Sequence, residues 1–121
     1  MRTFIQMFLQ RIGDCMRVAF ASMDNNRIDQ HFGNARYWQI YDIDRDSTFI
    51  ETRKVPVTYQ GHHEDKFKLV LSVLNDCDAV FVIQIGESAL EFMIRSNKRV
   101  FEATGEVLSI IRELLKGNLL A

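Results

Sequence analysis

The sequence predicts an α/β fold, a compact single domain with a mixed five-stranded sheet packed against helices. Three observations predict it. The first half of the chain is rich in β-branched and aromatic residues in short runs. The second half changes to a helical period. A nearly continuous apolar run, Ala79 to Ile85, lies between two of the helical stretches. With 121 residues, 47% apolar and 26% charged, the chain has the size and composition to fill one hydrophobic core. It shows no internal repeat, no low-complexity tract and no linker, so residues 16–121 read as one domain.

Residues 1–15 read as an N-terminal extension. Phe4, Ile5, Phe8, Leu9 and Ile12 fall on helical spacing, with Arg2 and Arg11 and no acid before Asp14. Gln6, Gln10 and Arg11 interrupt the apolar run, which excludes a secretory signal. A short amphipathic helix fits this pattern. A misassigned start, with Met16 as the natural first residue, fits it equally.

The elements then follow in order. Arg17 to Ser22 is small and β-branched and reads as the first strand. Asp24-Asn25-Asn26 is a turn, since Asn tolerates left-handed backbone angles. Arg27 to Gly33 reads as short and irregular. Arg36 to Asp44 is the second strand. Thr48 to Val55 is the third and lies near an edge, because charges interleave its apolar residues and Pro56 ends it. Glu64 to Asn75 places Phe67, Val70, Leu71 and Leu74 on one helical face. Ala79 to Ile85 suits a strand buried on both sides. Gly86 and Ser88 open a helix carrying Ala89, Leu90, Met93 and Ile94, and Arg99 to Ala103 is a last short strand. Glu106 to Lys116 is a helix with Val107, Ile110, Ile111, Leu114 and Leu115 on one face and Gly117 as its cap. Three strands in succession suit an antiparallel meander. The alternation that follows demands crossovers and parallel neighbours.

Composition excludes several functions. The chain has 15 basic and 16 acidic residues, a formal charge of −1, so no basic field exists to hold nucleic acid. No apolar run reaches the ~18 residues of a membrane-spanning helix, so no membrane partner is expected. Two cysteines, Cys15 and Cys77, cannot close a four-thiolate zinc or iron–sulfur site. No GxSxG elbow or HExxH helix occurs, and Cys–His catalysis lacks a local signature. The expectation is a protein that is not an enzyme.

Two segments carry chemistry. In Gln30-His31-Phe32-Gly33-Asn34, Gly33 permits a sharp turn and close ligand approach, and His31 projects before it. An imidazole there suits iron or another borderline metal, with Arg27 and Arg36 near it in sequence. A histidine capping a turn or lying against Phe32 fits the same pattern. In Gly61-His62-His63-Glu64-Asp65-Lys66, adjacent histidines precede an acidic first turn. On a helix their side chains diverge by about 100°, so His62 and His63 do not chelate as a pair, though either can act with a ligand from elsewhere. Cys77 sits between Asp76 and Asp78, whose charges raise a thiol pKa. A small buried residue at a helix–strand joint is the simpler role. Gly86-Glu87-Ser88 is a lone-glycine anion cradle at most.

These segments together resemble the NifX/NafY-type dinitrogenase iron–molybdenum cofactor biosynthesis family, NifX in particular. The resemblance rests on Arg17-Val18-Ala19-Phe20-Ala21-Ser22, Asp29-Gln30-His31-Phe32-Gly33, Gly61-His62 with Glu64-Asp65-Lys66, and Asp76-Cys77-Asp78-Ala79-Val80-Phe81-Val82. The Gly86 turn with Ser88-Ala89 and the segment from Leu114 to Leu120 continue it, over residues 16–120. Two positions depart from the family pattern. Glu87 stands where a second glycine is common, and Ser96-Asn97-Lys98-Arg99-Val100 replaces a Gly-Ile-x-Pro stretch.

The resemblance implies a ribonuclease-H-like fold and a cytoplasmic carrier in nitrogen fixation. The carrier would bind an iron–sulfur precursor (NifB-co) or the iron–molybdenum cofactor and pass it towards apo-dinitrogenase, with other cofactor-assembly proteins as partners. His31, Phe32, Gly33, Arg27, Arg36 and His62 are then the expected cofactor-binding residues. His31, His62, His63 and Cys77 are the expected metal ligands, with Cys15 a further thiol. An interaction module that binds apo-dinitrogenase without a cluster is the alternative. A nuclease, which the fold analogy suggests, needs clustered carboxylates, and residues 17–22 contain none.

Overall fold

The structure, a computed structural model, describes residues 16–56 and 63–117, with residues 63 and 64 as backbone only. The proposed N-terminal extension, Cys15 and His62 lie outside the described residues. Five strands form the main sheet: β1 (Met16–Ala21), β3 (Tyr37–Ile43), β4 (Ser47–Lys54), β5 (Ala79–Val82) and β6 (Arg99–Glu102), in the order β4-β3-β1-β5-β6. β1, β3 and β4 are the expected antiparallel meander, while β5 and β6 run parallel to β1. Three helices, α1 (His63–Val73), α2 (Glu87–Arg95) and α3 (Val107–Lys116), cover the sheet. Two short strands not foreseen, β2 (Arg27–Ile28) and β7 (Gly105–Glu106), pair as a separate ribbon.

The strands' period of two divides the core. Met16, Val18, Phe20, Tyr41, Ile43, Ala79 and Phe81 face α3, which supplies Val107, Ile110, Ile111 and Leu114. Ala19, Ala21, Trp38, Ile40, Val80 and Val82 face the other way, with Val70 of α1 and Ala89 and Met93 of α2. β1 has no charge beyond Arg17 and occupies the centre. β4 carries the charges and forms an edge, with a register shift opposite Ile40/Tyr41 that further discourages edge pairing. Two left-handed positions match their residues: Asn25 in the first turn (φ 61°) and Gly117 at the end of α3 (φ 75°).

The apolar run 79–85 leaves the sheet after Val82 instead of continuing to Ile85. Another segment has taken its hydrogen bonds: the Ile83 N–H donates to Gln30 O (3.0 Å), and the Phe32 N–H donates to Gln84 O (2.9 Å).

Candidate functional site

The exchange of hydrogen bonds between residues 30–32 and 83–84 creates the site. Ile28 is buried in the core beneath α3, whereas Phe32 is buried in the core on the opposite face. The chain from 27 to 34 therefore crosses from one side of the sheet to the other, over the C-terminal end of β5. Open α/β sheets bind ligands at this end of their strands.

His31 stands at the crossing with an exposed side chain in extended backbone (φ −73°, ψ 150°). Phe32 is 2% exposed, with its ring 6.1 Å from Trp38 and 6.3 Å from Phe67. It anchors the loop in the core, so its expected contact with a cofactor is corrected to a positioning role. Residues 32–34 form a single 3-10 turn, closed by the Asn34 N–H donating to His31 O at 3.0 Å. Gly33 has no positive φ here, and a Cβ built on it meets nothing within 4 Å. The turn that Gly33 permits is one that other residues can make as well.

Beside the turn lies a cavity of about 220 Å³, lined by Gly33, Asn34, Arg36, Pro56, Lys66 and a floor including Val55, Leu69 and Val70. Gln30 supports one wall, its Oε1 accepting the Arg36 N–H at 2.9 Å, and the Val55 N–H donates to Arg36 O at 2.7 Å. The HFG turn and the helix that begins in the second histidine segment thus meet at one cavity, although 30 residues of sequence separate them. Lys66 was missed as a site residue. Its spacing contained the signal: Lys66 precedes Leu69 and Val70 by three and four positions, which sets it at the end of the buried stripe of α1.

The other expected site residues fall elsewhere. Arg27 lies on β2, opposite Glu106 of β7, above the α3 face and not on the cavity. His63 begins α1 one turn before Lys66. Cys77 is 1% exposed at the start of β5, the opposite end of the sheet from His31. Five residues, four of them the strand β5, separate it from Ile83, up to about 20 Å at ~3.3 Å per residue. Burial, joined by the Asp76 charge, pushes its thiol up to about 12, and Lys98 Nζ donates to its carbonyl at 2.7 Å. Cys77 is therefore a structural residue, and its expected role as a metal ligand beside His31 is corrected. Among the described residues no group of three or more His, Cys, Asp and Glu converges.

The stretch after β5 also differs from an anion cradle. A second cleft there is lined by Ile85, Glu87, Leu90, Val100 and Glu102, and Glu102 Oε2 accepts the Ile85 N–H at 3.0 Å. Two carboxylates disfavour an anion.

A family model described as dinitrogenase iron–molybdenum cofactor matches residues 14–117. The chain belongs to this family. NifX of Azotobacter vinelandii is 34% identical over 79 residues, which is 64% of this chain and 50% of that protein. The FeMo cofactor biosynthesis protein NifB of Herbaspirillum seropedicae is 36% identical over 77 residues, 61% of this chain and 15% of that protein. The family domain here thus spans half the length of that NifX and a small part of that NifB. Among solved structures, PH0822 superposes with a TM-score of 0.70 at 26% identity, over 85% of this chain and 91% of that one. The mj0327 protein of Methanocaldococcus jannaschii shares the fold, with a TM-score of 0.58 at 19% identity over 86% of this chain and 91% of its own. No described helix is long and apolar enough to cross a membrane.

Proposed function

We propose that this protein is a non-catalytic carrier in nitrogenase cofactor assembly. It takes up a preassembled iron–sulfur precursor (NifB-co) or the iron–molybdenum cofactor beside His31 and passes it towards apo-dinitrogenase. The observation that carries this reading is the exposed His31, two residues before Gly33 of a turn that lines a small cavity with Arg36 and Lys66 on its rim, in a chain of this family. A preassembled cluster brings its own sulfides, so most positions on its irons are already filled. One imidazole, helped by a second ligand from His62 or His63, then suffices to hold it. Few ligands also allow release, which a resident metal site does not need. The names of the NifX and NifB relatives agree with a place in cofactor assembly.

The test is anaerobic incubation with isolated NifB-co, followed by gel filtration and iron analysis. Iron should elute with the wild type and drop severely with His31→Ala. Wild-type protein that elutes without iron overturns the carrier reading. If that protein still captures apo-dinitrogenase in a pull-down, the interaction module takes its place.

A further inference from the structure

We infer that Lys66 and Arg36 form an anion clamp over the Gly33 cavity that selects cargo by net negative charge, with Lys66 as the specificity-determining residue. The inference rests on the carrier reading and adds to it the way the cargo is recognised. Both side chains are exposed and line the same cavity from different elements, Arg36 before β3 and Lys66 on α1. Among the described residues, every other residue lining that cavity is uncharged.

Some cations of the protein are held by carboxylates. Arg17 is bound to Asp42 and Asp76, and Arg53 to Glu51 and Asp76. Among the described residues neither Arg36 nor Lys66 makes an ion pair. Two like charges round one small cavity repel each other until an anion enters. The apolar floor of Val55, Leu69 and Val70 lowers the local dielectric and strengthens that attraction.

Gly33 supplies an independent observation. Its backbone angles suit any residue, and a Cβ would meet open space. The fold gains nothing from a glycine at this position, whereas a ligand gains a bare wall it can approach closely. The cleft lined by Glu87 and Glu102 carries the opposite charge and does not suit the same ligand. The chemistry recognised is a compact body with net negative charge, such as a sulfide-rich cluster, and not a bare metal cation. Lysine is a mobile point charge rather than a rigid fork, which suits cargo that must leave again.

The experiment measures NifB-co binding anaerobically across a range of salt concentrations for the wild type, Lys66→Gln, Lys66→Arg, Arg36→Gln and Lys68→Gln. Lys68 is exposed on the same helix and does not line the cavity. Lys66→Gln and Arg36→Gln should each weaken binding about five- to tenfold and flatten its salt dependence. Lys66→Arg and Lys68→Gln should stay within about twofold of the wild type. Circular dichroism melts of the exposed-site variants should coincide with the wild type. If Lys66→Gln binds as the wild type does, or if Lys68→Gln weakens binding as much, the clamp is overturned and the carrier reading stands. If the wild type binds no cluster, both fall.

Discussion

His31 is held in place by its backbone carbonyl, which accepts the Asn34 N–H, and by its neighbours. The Gln30 carbonyl is fixed by Ile83, and the Phe32 N–H by Gln84. The Phe32 ring lies between Trp38 and Phe67. Truncating that ring removes a core aromatic and loosens the turn that presents the imidazole. Phe32→Ala should therefore cost about 3–5 kcal/mol in urea unfolding. His31→Ala, at an exposed position, should change stability by less than about 0.5 kcal/mol. Equal losses in the two variants would contradict the division between anchor and ligand. Cys77 gives a second residue-scale test. A thiol at 1% exposure, with its pKa near 12, should not react with a disulfide reagent at pH 8 while the protein is folded. In a Cys15→Ser background, labelling should appear only with denaturant. Rapid labelling of the folded variant would return Cys77 to the list of available ligands.

Elements explain which parts of the fold the sequence reveals. α3 packs Val107, Ile110, Ile111 and Leu114 against the sheet and leaves Leu108 and Leu115 outside, at 59% and 39% exposure. Ile111→Ala should cost about 2–5 kcal/mol in a chemical melt, whereas Leu108→Ala should cost well under 1 kcal/mol. Similar costs would mean the helix is seated on another face. This stripe except Leu115, the Gly117 cap and the part of the buried run up to Val82 were legible, because a period or a special backbone angle is recorded in neighbouring residues. The β2–β7 ribbon was not, since two-residue strands show no period and their partners lie far apart in the chain (Arg27 with Glu106, Ile28 with Gly105). The site divides in the same way. His31 and Gly33 stood out as a local motif. The meeting of Arg36 with Lys66 depends on where the buried stripe of α1 lands on the sheet, which only tertiary packing determines. Phe32 and Cys77 looked available as residue types and proved to be core, and local sequence does not record burial of that kind.

Across the whole molecule cations are treated in two ways. At the end carrying His31, the cations of the cavity rim stand without acidic partners among the described residues. At the other end Asp76 bridges two arginines, accepting from Arg53 Nη1 at 2.5 Å and Nη2 at 2.8 Å and from Arg17 Nη1 at 2.8 Å. Arg17 continues the network to Asp42 at 2.7 and 2.9 Å, and Arg53 also donates to the Val73 carbonyl at the end of α1. The network ties β1, β3 and β4 to α1 and so steadies the frame on which the opposite end is built. Arg53 first, and Arg17 with it, holds the Asp76 carboxyl well below the usual carboxylate range. A lowered pKa means the folded protein binds the proton less readily than the unfolded chain. The stabilisation is therefore complete above the unfolded value of about 3.9 and is lost as pH falls below it towards the lowered one. The Asp76 side chain is 43% exposed, so solvent screening limits the contribution to about 1 kcal/mol. Asp76→Asn should lower stability by about that amount at pH 7, and the gap from the wild type should narrow steadily as urea melts are taken below about pH 4. A gap that stays constant from pH 7 to pH 2 would mean the carboxylate acts through its hydrogen-bond geometry and not its charge, and the frame would then owe nothing to this ionisation.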